Sequence, residues 1–251
     1  MTGSSSAKKE TRRLGLLADL GHALSVPSRI CDLGCGNGNG VREYLALGHD
    51  AYGCDLQFKE GPHVGDLERA GRLRRITMEP YALPFEDDMF DFLYSEYVLE
   101  HVQNYDEMLA EIHRVLRPGG VSLHVFAPRY SPIEPHVKAP LATLIQGAPW
   151  MFLCMSLGFS RPMWQGRSRR EAAREASEYL RTRTNYLGTR RIRKLVEARF
   201  PTYRFCEKEA LGRSGFARYD PIVRWIPIAP FLLRNLVASV LFLRKDPSPT
   251  P

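Results

Sequence analysis

Residues 30–40 read ICDLGCGNGNG, an apolar run followed by a glycine at every second position. A strand that runs into bare backbone and then into a helix presses main-chain N–H groups against a ligand. The spacing narrows which ligand. A dinucleotide fingerprint needs G-x-G-x-x-G, whose last glycine falls on Asn39 counted from Gly34, or on Val41 counted from Gly36. A phosphate-binding P-loop needs Gly-Lys-Ser/Thr at its end, and none is present. What stands is Asp32-Leu33-Gly34-Cys35-Gly36-Asn37-Gly38. Its leading carboxylate repels a pyrophosphate and can hold an ammonium group.

Working outward, short apolar runs alternate with helical patterns. SRICDL, DAYGCDL, LRRITM, FDFLYSE and VSLHVFAP read as five strands. In YDEMLAEIHRVL, Met108, Leu109, Ile112, Val115 and Leu116 share one helical face. Asn104 and Glu107 predict a capping box, and Pro118-Gly119-Gly120 a stop. This β-α repetition predicts a doubly wound, Rossmann-like α/β fold with a parallel sheet. Ligands bind such sheets at the carboxyl ends of the strands, where the strand order reverses.

The alternation stops near Arg129. Residues 129–187 read as a helical, substrate-covering insertion after the fifth strand, with a helix over 169–181. A helix at about 188–200 and a sixth strand in TYRFCEK follow. Residues 1–28 read as a frayed tail and a helix near Glu10–Leu24. The expected divisions are thus 1–28, 29–128 (cofactor half of the core), 129–187, 188–245 (C-terminal part of the core) and a tail over 246–251.

D-x-G-x-G-x-G resembles the first motif of class I S-adenosylmethionine-dependent methyltransferases, in the broad group that includes quinone and sterol methylators. Three further stretches match that family in order: GCDL, MEPYALPFEDDMFD, and EYVLEHV followed by EIHRVLRPGG. The likeness covers residues 29–127. It implies S-adenosylmethionine as cofactor and a seventh, antiparallel strand between the fifth and sixth, for which Ala238–Leu243 is suited. It places Asp55, nineteen residues beyond Gly36, on both ribose hydroxyls, with Leu56 beside it. It places Glu79 by the adenine amine, flanked by Pro80 and Tyr81, with Ala82 and Leu83 packed under the base. Asp32, Gly34, Cys35, Gly36, Gly38 and Ser95 complete the expected cofactor set, Ser95 at the methionine end. The residue types agree, since this cofactor carries a cation and hydroxyls but no phosphate, and a charged acceptor strengthens each hydroxyl bond.

Methyl transfer to oxygen or carbon also needs a proton removed, which favours histidine. His101, in YSEYVLEH, and His136, in RYSPIEPH, follow the fourth and fifth strands. His136 is the expected base and His101 its competitor. Glu96, Tyr97, Arg129 and Tyr130 are the expected acceptor contacts.

The net charge is +7, and it is concentrated. Residues 161–194 hold ten Arg and one Lys against three Glu. On a helix, Arg169, Arg170 and Arg174 can pair with Glu171, Glu175 and Glu178, or can meet an anionic substrate. No RNA-binding module is visible, so a nucleic-acid partner is not expected. Five cysteines without a C-x-x-C pair read as reduced thiols in a cytoplasmic protein. No metal-ligand spacing occurs, and no metal is expected. Residues 226–243 are mostly apolar, but Pro227, Pro230, Arg234 and Asn235 argue against a membrane span. With PLATLIQGAPWMFLCMSLGF they leave peripheral membrane contact as a second expectation. The expected function is methyl transfer to an oxygen of a small molecule or glycoconjugate, anionic or lipid-linked. Two alternatives are C- or N-methylation of a lipid or quinone, and a non-catalytic cofactor-binding partner.

Overall fold

The computed structural model describes residues 3–159, 166–213 and 226–247. Arg161 of the basic segment, the stretch Asp220–Trp225 and the proline-rich end at 248–251 lie outside the described residues. Helix α1 (Gly3–Asp19) precedes β1 (Arg29–Leu33). Helix α2 (Asn39–Ala46) leads to β2 (Asp50–Asp55), and α3 (Val64–Arg69) to β3 (Leu73–Arg75). After β4 (Thr77–Met78) and β5 (Tyr81–Ala82) come β6 (Phe90–Glu96), a 3-10 turn (Leu99–His101), α4 (Tyr105–Val115) and β7 (Leu116–Phe126). Next are α5 (Ala148–Ser156), α6 (Arg169–Arg183), α7 (Thr189–Glu197), β8 (Thr202–Phe205) and α8 (Glu207–Arg213). A short helix, Ala229–Leu232, runs into a π-helical turn, Leu233–Val237, and then β9 (Ser239–Arg244).

Seven strands form one sheet in the order β3-β2-β1-β6-β7-β9-β8. Only β9 runs antiparallel to its neighbours, between β7 and β8, as the family likeness implies. The chain steps outward from β1 to β3, then returns to β6 on the other side of β1. That reversal opens a crevice at the carboxyl ends of β1 and β6, and the glycine loop lies in it.

The central strands β1, β6 and β9 are mostly buried because both faces of the sheet are covered there. Successive side chains alternate between two cores. Cys31 and Leu33 join Met108, Leu109, Ile112 and Val115 of α4 and Ile192 and Val196 of α7. Ile30 and Phe92 join Leu16 and Leu17 of α1 and Val41 and Tyr44 of α2. Residues 129–187 carry a third core of their own, where Met151, Cys154 and Met155 pack on Ala172, Ala173, Ala176 and Leu180.

Four local expectations need correction. The run LRRITM does not form one strand: β3 joins the sheet, while β4 turns back to pair with β5. Helix α1 starts at Gly3 rather than Glu10, and stops before Gly21, whose φ of +85° ends a helix as a left-handed residue does. Asn104 is the N-cap of α4, but its side chain donates to Glu107 and caps no backbone N–H. A true capping box starts α6 instead, between Ser168 and Glu171. Among the described residues, Glu175 pairs with Arg167 rather than with the helix arginines. The five cysteines are free and buried. No described helix is long and apolar enough to cross a membrane.

Candidate active site

The glycine loop is shaped from both sides. Gly34 has φ +79°, and a Cβ there would sit 2.2 Å from Val98 Cγ2, so this glycine lets the loop pass under Val98. Gly36 also has positive φ, but a Cβ there would meet only the Lys59 stem, at 3.6 Å. Its face is therefore open to a ligand. The Gly36 N–H donates to Asp55 Oδ2 at 2.8 Å, and Gln57 N–H to Asp55 Oδ1 at 3.4 Å. Each carboxylate oxygen keeps a second lone pair, so Asp55 can clasp the loop and still accept two hydroxyls. Beside it Leu56 is 53% exposed, an apolar surface without a protein partner above it.

Asp32 is buried at the end of β1, in the space left by the missing side chain of Gly40. Burial pushes its carboxyl up to about 7, opposed by the charge of Arg13. Arg13 comes from α1, which sequence reading assigned no role. Its guanidinium stacks on the Tyr94 ring at 3.8 Å, donates to Glu96 at 2.7 Å and pairs with Glu10. Lys9 pairs with Glu96 as well. A cavity of about 390 Å³ opens here, lined by Arg12, Arg13, Tyr94, Tyr97, Val125 and Val237 among others. It lies at the carboxyl ends of β6 and β7. Its volume falls in the range of small-molecule sites.

The remaining cofactor residues divide. Cys35 is buried, and burial raises its thiol well above the ordinary range, so it is a neutral packing residue. Glu79 and Pro80 are exposed at the tip of the β4–β5 hairpin, and Tyr81 packs against the core. Leu83 is itself core, its N–H held by Glu111 of α4 at 2.8 Å. Its side chain is thus spent on the α4 side of the core. Ser95 is corrected too. It is fully buried, and its Oγ is bound to His124 Nδ1 at 2.7 Å inside the sheet's core. His124, held below to about 3 by burial, also meets Ser122.

Of the expected acceptor residues, Tyr97 and Tyr130 are exposed, and Tyr97 sits in left-handed backbone at φ +56°. Glu96 is committed to Lys9 and Arg13. Arg129 donates to the Tyr186 carbonyl at 2.9 Å, tying the start of the insertion to its end.

The two histidines meet. His101 Nε2 lies 3.1 Å from His136 Nε2. His101 Nδ1 faces the Arg183 carbonyl at 2.7 Å, and His136 Nδ1 faces Glu134 Oε1 at 2.6 Å. Assigned from those acceptors, both Nδ1 atoms carry their protons, and the two Nε2 lone pairs converge. A single proton placed between them would be held by both. Glu134 also accepts from Tyr186 and from the His136 and Val137 N–H groups, and these bonds lower its carboxyl. It orients His136 as a carboxylate orients a catalytic imidazole. Burial lowers His101, which keeps it neutral near pH 7. Glu100 is 1% exposed beneath them, near the Glu100 and Ala127 N–H groups but hydrogen-bonded to neither, and burial raises it to about 7. Ligand atoms of Glu100, His101 and His136 lie within 4.8 Å of one another, close enough for a metal ion. Sequence reading missed Glu134 and Tyr186, although the Glu-x-His spacing in IEPH was visible.

Residues 31–123 match the family model described as a methyltransferase domain. A sterol 4-C-methyltransferase of Caenorhabditis elegans is 32% identical over 94 residues, which cover 36% of this chain and 28% of that one. A malonyl-[acyl-carrier protein] O-methyltransferase of Pseudescherichia vulneris is 30% identical over 105 residues, 42% of this chain and 40% of that one. The chain thus spans less than half the length of each. The crystal structure of an S-adenosylmethionine-dependent methyltransferase from Mesorhizobium loti shares the fold, with TM-score 0.52 at 17% identity over 92% of this chain and 95% of that one. Residues 31–123 are thus similar to a methyltransferase domain, and the fold is shared with an S-adenosylmethionine-dependent methyltransferase, whose cofactor is S-adenosylmethionine. The open face of Gly36, the spare lone pairs of Asp55 and the buried acid of Asp32 fit that cofactor.

Proposed function

We propose that this protein methylates an oxygen of a small molecule or glycoconjugate that is anionic or lipid-linked. The observation that carries the oxygen reading is the convergence of His101 and His136 beside an oriented Glu134. Bound S-adenosylmethionine supplies an electrophilic methyl group on a sulfonium. Asp55 would accept the ribose hydroxyls, Asp32 would meet the ammonium, and the open face of Gly36 would take the cofactor's body. His136 takes the proton of the acceptor hydroxyl at Nε2. The proton is then shared with His101, and Glu134 balances the charge. Removal of that proton would leave the acceptor oxygen as the nucleophile for the methyl group that the cofactor supplies when bound. Positioning and exclusion of water supply most of the acceleration.

A second reading, methylation of a lipid carbon or nitrogen, is favoured by the apolar walls of the cavity, Leu123, Val125, Leu233 and Val240. The sterol-methylating relative agrees with that reading, and the malonyl-carrier relative with the first. Labelled methyl transfer to sugar phosphates, isoprenoid phosphates and quinols separates them. Product only with hydroxylated phosphates supports the oxygen reading, and product only with quinols overturns it. Transfer abolished by EDTA would give the two histidines to a metal instead.

A further inference from the structure

Three acceptors without a donor meet where the insertion joins the 3-10 turn. With the Nδ1 protons given to the Arg183 carbonyl and to Glu134, the Nε2 lone pairs of His101 and His136 face each other at 3.1 Å. Beneath them Glu100 is 1% exposed, and neither of its carboxylate oxygens has a hydrogen-bond partner among the described residues. A buried acceptor left without a bond is costly. One proton can join the two imidazoles, but it leaves the carboxylate without a bond. A metal ion serves all three.

The geometry suits a small divalent ion. Nitrogens about 2.0–2.1 Å from zinc stand about 3.3 Å apart in a tetrahedral site, close to the 3.1 Å found here. The three ligand atoms lie within 4.8 Å of one another, so a carboxylate shift of at most about 1.5 Å completes the set. Two imidazoles and one carboxylate favour a transition metal over magnesium or calcium, which take oxygen ligands. Glu134 and the Arg183 carbonyl hold the Nδ1 protons as the outer partners of metal-bound histidines do. The frame is tied separately: Asn185 N–H donates to the Glu100 carbonyl at 2.6 Å, and the Asn185 side chain to the Val102 carbonyl at 2.8 Å. Both imidazoles are half-buried, which leaves an ion a way in. The two histidines stand 35 positions apart, so no ligand spacing shows in the sequence.

We propose that Glu100, His101 and His136 form a binding site for one divalent transition-metal ion of the zinc type. The site stands on this cluster alone and does not depend on the methyl-transfer reading. It does compete with the base, because His136 Nε2 cannot hold a metal and take a proton at once. An occupied site therefore silences His136 as a base.

The test is calorimetric titration of zinc into the full chain without an affinity tag, with the visible absorption of cobalt(II) as a second readout and magnesium as the control. One equivalent of zinc should bind, and magnesium should not. Glu134→Gln removes only an outer partner and should weaken zinc binding by roughly 10–100-fold. His101→Gln, His136→Gln and Glu100→Gln each remove a ligand and should cost more than that. Unchanged S-adenosylhomocysteine affinity in each variant reports an intact fold. Zinc should also lower methyl transfer, and EDTA should restore it. Zinc bound with transfer unchanged keeps the site and removes His136 as the base, so the two readings fail separately. No zinc bound by the wild type overturns the inference, as does equal binding by all three ligand variants.

Discussion

The cofactor half and the insertion are held together by opposite means. Between β1 and β7, one residue type after another is dictated by backbone. Gly34 passes under Val98, Gly36 meets a carboxylate, and apolar side chains alternate to two cores. Among the described residues between Arg129 and Leu187 no strand fixes the chain. The insertion stands on a core of its own, rich in alanine, and on a few long-range ties such as Arg129 to Tyr186 and His101 to His136. Where backbone geometry sets the residue, a motif exists to be read. Where distant side chains do, the sequence carries only composition.

That contrast can be broken by substitution. The largest effect should fall where the halves meet. His136→Gln should lower the rate of methyl transfer by about 10²–10⁴-fold and leave S-adenosylhomocysteine binding intact. Equal loss of both would make His136 a structural residue. Gly34→Ala should next destabilise the core by about 2–4 kcal/mol, because it adds a methyl group onto Val98 and strains a positive φ. Chemical denaturation measures this, and an unchanged midpoint would show that the loop has room. In the insertion, Ser168→Ala should cost only about 1 kcal/mol, since it removes one capping bond at an exposed helix start. A larger loss would mean that the insertion and core unfold as one unit.

The pH response sharpens the same comparison. Asp32 is raised from 3.8 to about 7 in the folded protein. The folded state thus holds a proton that the unfolded chain has released, so this group's contribution to stability falls as pH rises from about 4 to about 7. A bound ammonium reverses the preference by favouring the carboxylate. S-adenosylhomocysteine affinity should therefore rise by up to about tenfold per pH unit below 7, and level off above it. Asp32→Asn should flatten that profile, and a profile that is already flat in the wild type would remove Asp32 from the ammonium site.

Much of the core was legible because its signals are local. Most of the strands and the loop from Asp32 to Gly38 follow from short runs with fixed spacing, while the position of β9 came from the family likeness. The errors have a common cause. Ser95 looked like a ligand contact because it ends a strand at the right place, but the strand's period of two turns its side chain onto His124. Around Leu83, a hairpin at β4–β5 redirected the chain, and only tertiary packing shows that the side chain joins the core. The role of Arg13 was invisible because α1 reaches Asp32 and Tyr94 from outside the motif. Each histidine was found by its distance from a strand end. Their contact was not, since it joins residues 35 apart through a fold that composition does not specify.

The measurement that tests the account most directly is calorimetric titration of S-adenosylhomocysteine into the wild type and Asp55→Ala. The account predicts binding in the micromolar range for the wild type. In the variant it predicts a loss of about 100-fold or more, as two charge-assisted bonds and the clasp on Gly36 disappear together. Equal affinity in both proteins, or none in the wild type, would contradict the claim that the glycine loop and Asp55 form the cofactor site.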